Sequence, residues 1–208
     1  MKVSIKYLVL IGITFVFLIL LYRYWNDDSM PTPMEAIEQA RTNTGMKVSL
    51  AEVDVENGII VFYKQNQSIN AEFVRKTRRG WKWGYGGGHT IPSYPNGVDT
   101  NKIDTYLSYQ YFPGTDDTEF GSSPFPMLFG VLKNSNVSNI VVKDLVNNNE
   151  IKATIVNGNQ DFRIWYVFID KDQDKKFIIS TISDEGKVIA DKTINEELDS
   201  QTGTESIK

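Results

Sequence analysis

Three patterns of apolar and polar positions follow one another along the chain. Residues Tyr7 to Tyr22 read YLVLIGITFVFLILLY, a run without a charge. A short segment near 33–43 then repeats apolar residues at helical spacing. From Lys47 onward the period shortens to two and stays there almost to the end.

The first pattern predicts a membrane-spanning helix, which needs roughly 20 apolar residues. Val3 and Ile5 lengthen the run on one side. Tyr22, Tyr24 and Trp25 suit the headgroup level on the other, and Lys6 and Arg23 can snorkel to the two interfaces. Leu21-Tyr22-Arg23-Tyr24-Trp25-Asn26 offers none of the small residues a signal protease cuts beside, so residues 1–25 are expected to be an uncleaved signal-anchor. Lys2, Lys6 and the terminal amine precede the helix, whereas Arg23 alone follows closely, with Asp27 and Asp28 behind it. That balance predicts a single-pass protein of the cell membrane, N-terminus inside and the remainder outside.

The second pattern opens on Thr32-Pro33-Met34-Glu35, with Thr as N-cap, Pro at the first helical position and Glu placed to close a capping box. Met34, Ile37 and Ala40 form an apolar stripe, and Gly45 can end the helix. Residues 26–46 are thus expected to be a linker and a short helix at 33–43.

The third pattern predicts a mainly β, antiparallel domain over 47–194, as one unit or two small tandem ones. Strands are expected at 47–55, 59–64, 69–73, 81–85, 103–111, 127–132, 138–146, 150–156, 161–169, 176–182 and 187–191. Asn- and Gly-containing turns such as Glu56-Asn57-Gly58 separate them. Strand 161–169 is apolar on both faces, which predicts a central position covered on both sides. Strand 150–156 sets Ile151, Ala153 and Ile155 against Lys152 and Thr154, so one face should be wet. Gly86-Gly87-Gly88 reads as a break or bulge after the fourth strand. The rhythm near 47–85 recurs near 138–191 and raises the question of an internal duplication. The polar, acidic stretch 195–208 is expected to be a disordered tail.

Composition narrows the function classes. The chain has 208 residues and a net charge of −4, which argues against a dedicated nucleic-acid binder. It has no cysteine, which excludes disulfides, thiol catalysis and cysteine zinc sites. His89 is the sole histidine and has no supporting catalytic set in the sequence, so no catalytic residue, metal or cofactor is assigned. Asp170, Asp172 and Asp174 resemble the start of a calcium loop, but Lys175 and Thr181 stand where that loop needs Gly and Glu.

The candidate site lies on one hairpin. Arg75, Lys76, Arg78, Arg79 and Lys82 form the only basic cluster, and Trp81, Trp83 and Tyr85 alternate beside it. Residues two apart in a strand share a face, so the three rings should form one stripe. An exposed stripe would stack on sugars or rest on headgroups, and a buried one would fill a core. The cations would engage an anionic polymer or lipid headgroups, or else serve as a solvated hairpin tip.

The segments Gly80 to Gly88 (GWKWGYGGG), Pro124 to Gly130 (PFPMLFG) and Arg163-Ile164-Trp165-Tyr166 together resemble a group of small membrane-anchored envelope proteins of low-GC Gram-positive bacteria. The resemblance covers most of the chain after the anchor. It implies an envelope location and carries over no activity and no functional residue.

The expected function is a non-enzymatic, membrane-tethered extracytoplasmic binding module. Its partners would be the membrane itself and an anionic envelope polymer, lipid headgroups or a protein. Two alternatives stay open: an envelope-acting hydrolase or transferase using carboxylates such as Glu72, Asp116 and Glu119, and a structural subunit of a membrane complex.

Overall fold

The structure is a computed structural model that describes residues 5–25, 27–42, 45–91, 107–115, 123–158, 162–171 and 175–195. The expected acidic loop (Asp116, Asp117, Glu119), the first part of the 103–111 strand, Asp172, Asp174 and the tail beyond Asn195 lie outside those residues.

Helix α1 (Ile5–Trp25) covers the apolar run, and each of its described side chains is exposed. Among the described residues, no helix is long and apolar enough to cross a membrane. Helix α2 (Pro33–Ala40) begins as its sequence predicts, with the Thr32 hydroxyl accepting from the Glu35 N–H at 3.2 Å. It ends earlier than expected, because Arg41 turns extended and sends its side chain into the sheet.

Three four-stranded antiparallel sheets follow. Sheet 1 is a meander of β1 (Lys47–Val55), β2 (Gly58–Gln65), β3 (Ser68–Lys76) and β4 (Trp81–Thr90). Its first two connections are two-residue turns in which Asn57 (φ 65°) and Asn66 (φ 55°) take left-handed backbone, as short hairpins require. Sheet 2 orders β5 (Gln110–Phe112), β6 (Met127–Leu132), β10 (Arg163–Phe168) and β9 (Thr154–Asn157). Sheet 3 orders β12 (Val188–Asn195), β11 (Lys176–Ser183), β7 (Val137–Asp144) and β8 (Glu150–Lys152). The two stretches of similar rhythm thus differ in topology: 47–85 lies in sheet 1 alone, whereas 138–191 divides between sheets 2 and 3.

Hydrophobic faces dictate the layering. In β2, Ile59, Val61 and Tyr63 pack with Ala36 and Ile37 of α2, while Ile60 and Phe62 pack toward β6 and β10. Sheet 2 therefore has both faces covered. Phe129 and Ile164 meet sheet 1, and Leu128, Trp165 and Val167 meet Val142, Phe177 and Ile179 of sheet 3. Doubly covered strands read as continuous apolar runs, which accounts for MLFGVL in β6 and for the two-faced pattern of β10.

Two strand expectations need correction. The segment 150–156 is not one strand: it breaks at buried Ala153, whose N–H donates to Ile140 O at 2.8 Å. The chain switches there from sheet 3 to sheet 2, which a one-strand reading cannot accommodate. Gly86-Gly87-Gly88 is likewise not a break, for β4 runs through it to Thr90. A Cβ on Gly86 would stand 2.2 Å from Glu72 Oε2. Glycine here is what lets a buried carboxylate sit on the neighbouring strand.

Candidate functional site

The β3–β4 hairpin carries every residue of the sequence-derived site, and the structure divides them into three environments. The division starts with a β-bulge. β3 and β4 pair as Arg75↔Lys82, Val74↔Trp83 and then Phe73↔Tyr85, so Gly84 is an extra residue. A bulge of one residue reverses the alternation beyond it. Trp81 and Trp83 therefore pack on the α2 side of sheet 1, and Tyr85 packs on the opposite face. The single aromatic stripe is thus corrected to two separate contacts. Tyr85 meets Phe112 and Phe125 edge-on at 5.9 and 5.6 Å between centroids.

The cations are divided as well. Lys82 pairs with Asp28 and lies 3.8 Å from Asp27, and Arg79 Nε lies 3.9 Å from Asp27. Lys76 lies over the Trp81 ring, 5.6 Å from its centroid. Arg75 is half-buried, while Arg78 is exposed at the tip. The cluster is therefore partly answered by carboxylates of the segment that follows α1.

That segment is clasped to the hairpin tip by backbone bonds. Met30 N–H donates to Trp81 O and Trp81 N–H to Met30 O, each at 2.8 Å. Ser29 Oγ lies 2.8 Å from Thr77 Oγ1, and Thr77 Oγ1 in turn accepts from Gly80 N–H at 3.1 Å. Gly80 has φ +151°, and a Cβ on it would stand 2.2 Å from Met30 O, so glycine is what lets the linker lie this close. Asp27 Oδ1 accepts from both Ser29 N–H (3.0 Å) and Ser29 Oγ–H (2.6 Å). The Ser29 hydroxyl bond, ahead of the cations, holds the Asp27 carboxyl below its ordinary range, and Lys82 does the same for Asp28.

A second anchor lies deeper on the same strands. Glu72 is 1% exposed, and its two oxygens accept four bonds. Arg41 donates from Nε and Nη2 at 3.1 Å each, Tyr63 from its hydroxyl at 3.2 Å, and Trp83 from Nε1 at 2.6 Å. Arg41 also donates to Gly86 O at 2.7 Å and stacks over Trp83 at 4.9 Å. Burial, followed by the Glu72 charge, pushes the Tyr63 phenol well above its ordinary range. A carboxylate satisfied this completely is a structural counter-ion.

His89 has found a partner that sequence spacing did not reveal. Its Nε2 lies 2.8 Å from Ser108 Oγ, which also accepts from Val131 N–H at 2.9 Å. Both residues are buried, and burial pushes the imidazole down to about 4, against the opposing effect of the nearby Gln110 side chain. His89 Nδ1 and Gln110 Oε1 nevertheless each lack a well-formed hydrogen bond. The Ser–His contact looks like half a nucleophile–base pair, but Ser108 is 0% exposed. It acts as a polar bridge between sheets 1 and 2. Among the described residues no group of three or more metal-ligating side chains converges.

Compared with family models, with curated proteins and with solved structures, the chain finds no match.

Proposed function

We propose that the chain is a single-pass, membrane-tethered module that holds the basic tip of the β3–β4 hairpin against anionic lipid headgroups outside the cell. The observation that carries this reading is the clasp between the linker and the hairpin. Trp25 ends α1, and Asp27 already contacts Arg79 and Lys82. Two residues of chain span at most about 7 Å. The tip therefore lies near the end of α1 wherever the helix goes.

The exposed apolar surface of α1 supports the tether. Apolar side chains such as Tyr7, Ile11 and Phe15 are more than 60% exposed. An apolar surface of that kind needs lipid or protein around it. With α1 in the bilayer, Arg78, Arg79 and Lys76 stand at headgroup level, where each cation near an anionic surface contributes roughly 1 kcal/mol.

The absence of cysteine supplies a clean probe, since Glu56→Cys introduces a unique labelling site in the neighbouring β1–β2 turn. Full-length protein carrying an environment-sensitive dye there is reconstituted into phosphatidylglycerol-rich and into zwitterionic vesicles. The dye should be less accessible to aqueous quencher in the anionic vesicles, and Arg78→Ala with Lys76→Ala should abolish the difference. Equal accessibility in both vesicles would reject the headgroup contact. Protease accessibility of the domain on intact cells tests the orientation separately.

A further inference from the structure

Away from the hairpin, where sheet 2 ends, a cleft of about 280 Å³ opens between the ends of β6, β9 and β10. We propose that it binds a small hydroxylated ring bearing an oxyanion, that is, a sugar carrying a carboxylate or a phosphate. The proposal is independent of the membrane reading.

Arg163 is the centre of the argument. Its Nη2 donates to Asn134 O at 2.6 Å and to Val137 O at 2.7 Å, which fixes the guanidinium plane. Arginine has five N–H donors. Its Nε and Nη1 hydrogens have no hydrogen-bond partner among the described residues. A pinned guanidinium with spare donors is prearranged for a planar or tetrahedral oxyanion. Burial lowers its proton affinity, and the Asp184 carboxylate opposes that. The group stays charged, since arginine does not lose its proton in proteins.

The other walls say what the anion is attached to. Lys133 also lines the cleft. Asn157, paired with Arg163 across β9 and β10, and Ser135 are neutral donors and acceptors of the kind hydroxyls need. Phe162 supplies an aromatic wall for the apolar face of a ring. Gly158 completes the lining because a Cβ there would stand 2.6 Å from Phe162 O and 3.1 Å from its ring. The volume is at or below the lower end of the roughly 300–1,000 Å³ typical of small-molecule sites, so it suits one ring and not a polymer.

The test is calorimetric titration of the full-length chain in zwitterionic micelles with glucuronate, glucose 6-phosphate, glucose and inorganic phosphate. At least one charged sugar should bind, about tenfold or more tighter than glucose and tighter than inorganic phosphate. The pair of charged sugars separates a carboxylate site from a phosphate site. Asn157→Ala and Ser135→Ala, which leave the Arg163 carbonyl contacts in place, should each weaken the charged sugar several-fold and leave inorganic phosphate unchanged. Arg163→Lys should lose the preference over glucose, with far-UV circular dichroism reporting whether the fold persists. If that variant unfolds, the Asn157 and Ser135 variants decide. Binding of inorganic phosphate alone, equal binding of glucose and charged sugars, or no binding of any probe would overturn the assignment.

Discussion

Two ion-pair systems tie the segment between α1 and β1 to the same hairpin, and they work in different ways. The outer one joins Asp27 and Asp28 to Arg79 and Lys82 at the surface. The inner one joins Arg41 to Glu72 beneath α2. Both use carboxylates and cations, but only the inner carboxylate is removed from water. Surface pairs contribute about 0–1 kcal/mol, whereas breaking a buried pair costs about 3–5 kcal/mol because a charge is left unanswered. The outer pairs therefore position the tip without fixing it strongly. The inner pair locks α2 to sheet 1.

The largest effect should come from cutting the inner pair on its cationic side. Arg41→Ala leaves Glu72 with only Tyr63 and Trp83 as donors. Urea unfolding should show a loss approaching 3 kcal/mol, at the low end of the buried-pair range because Arg41 itself is 31% exposed. The Tyr63→Phe variant should lose about 1 kcal/mol, the worth of a single hydrogen bond. A loss for Arg41→Ala no larger than that would place the inner pair in the same class as the outer ones.

Acid should discriminate between buried and surface groups in the same molecule. His89 is pushed down from 6.5 to about 4 in the folded chain. Its folded value is below its unfolded value, so the unfolded chain binds the proton first. The stabilisation is complete above about pH 6.5 and is lost as pH falls toward 4, reaching roughly 3 kcal/mol at most. Asp27 and Asp28, whose carboxyls lie below their ordinary 3.8, keep their charges through that window. Stability measured from about pH 7 to about pH 4.5 should therefore fall while the clasp persists. The fall should flatten in His89→Gln. An identical slope in that variant would assign the acid sensitivity elsewhere.

These contrasts also explain how much was legible in the sequence. Alternation marked the first three strands of sheet 1 and the doubly covered β10, because residue patterning follows burial directly. Thr32-Pro33-Met34-Glu35 marked the start of α2 because capping is a local matter. The bulge at Gly84 was not legible, since one extra residue is defined only by the strand opposite. It moved Tyr85 to the other face and dissolved the expected stripe. The partnership of Arg41 with Glu72 spans 31 positions, and that of His89 with Ser108 spans 19. No spacing rule connects such pairs. The basic cluster was visible as charge, but the pairing of Arg79 and Lys82 with Asp27 and Asp28 depended on the linker folding back.

Backbone at the clasp should matter more than its charges. Gly80→Ala would place a Cβ against Met30 O at a backbone angle that suits glycine. Such strain costs on the order of 1–3 kcal/mol when the structure holds. The alternative is release of the linker, at less cost to global stability. Hydrogen exchange at the Met30 and Trp81 amides separates the two, since both should lose protection only if the linker detaches.

The smallest effect is expected from the charges of the outer clasp. Asp27→Asn retains an oxygen that can accept from Ser29 but removes the negative charge facing Arg79 and Lys82. Asp28→Asn removes the carboxylate paired with Lys82. Each should leave the unfolding midpoint nearly unchanged, and any loss should vanish at about 1 M salt, where the screening length is about 3 Å. The same substitutions should strengthen the pull of the tip toward anionic vesicles, because the linker no longer answers Lys82. Little loss of stability with a gain in membrane contact is the signature of a clasp that positions charge without holding the fold together. A large, salt-insensitive destabilisation would show instead that the outer pairs belong with Arg41 and Glu72.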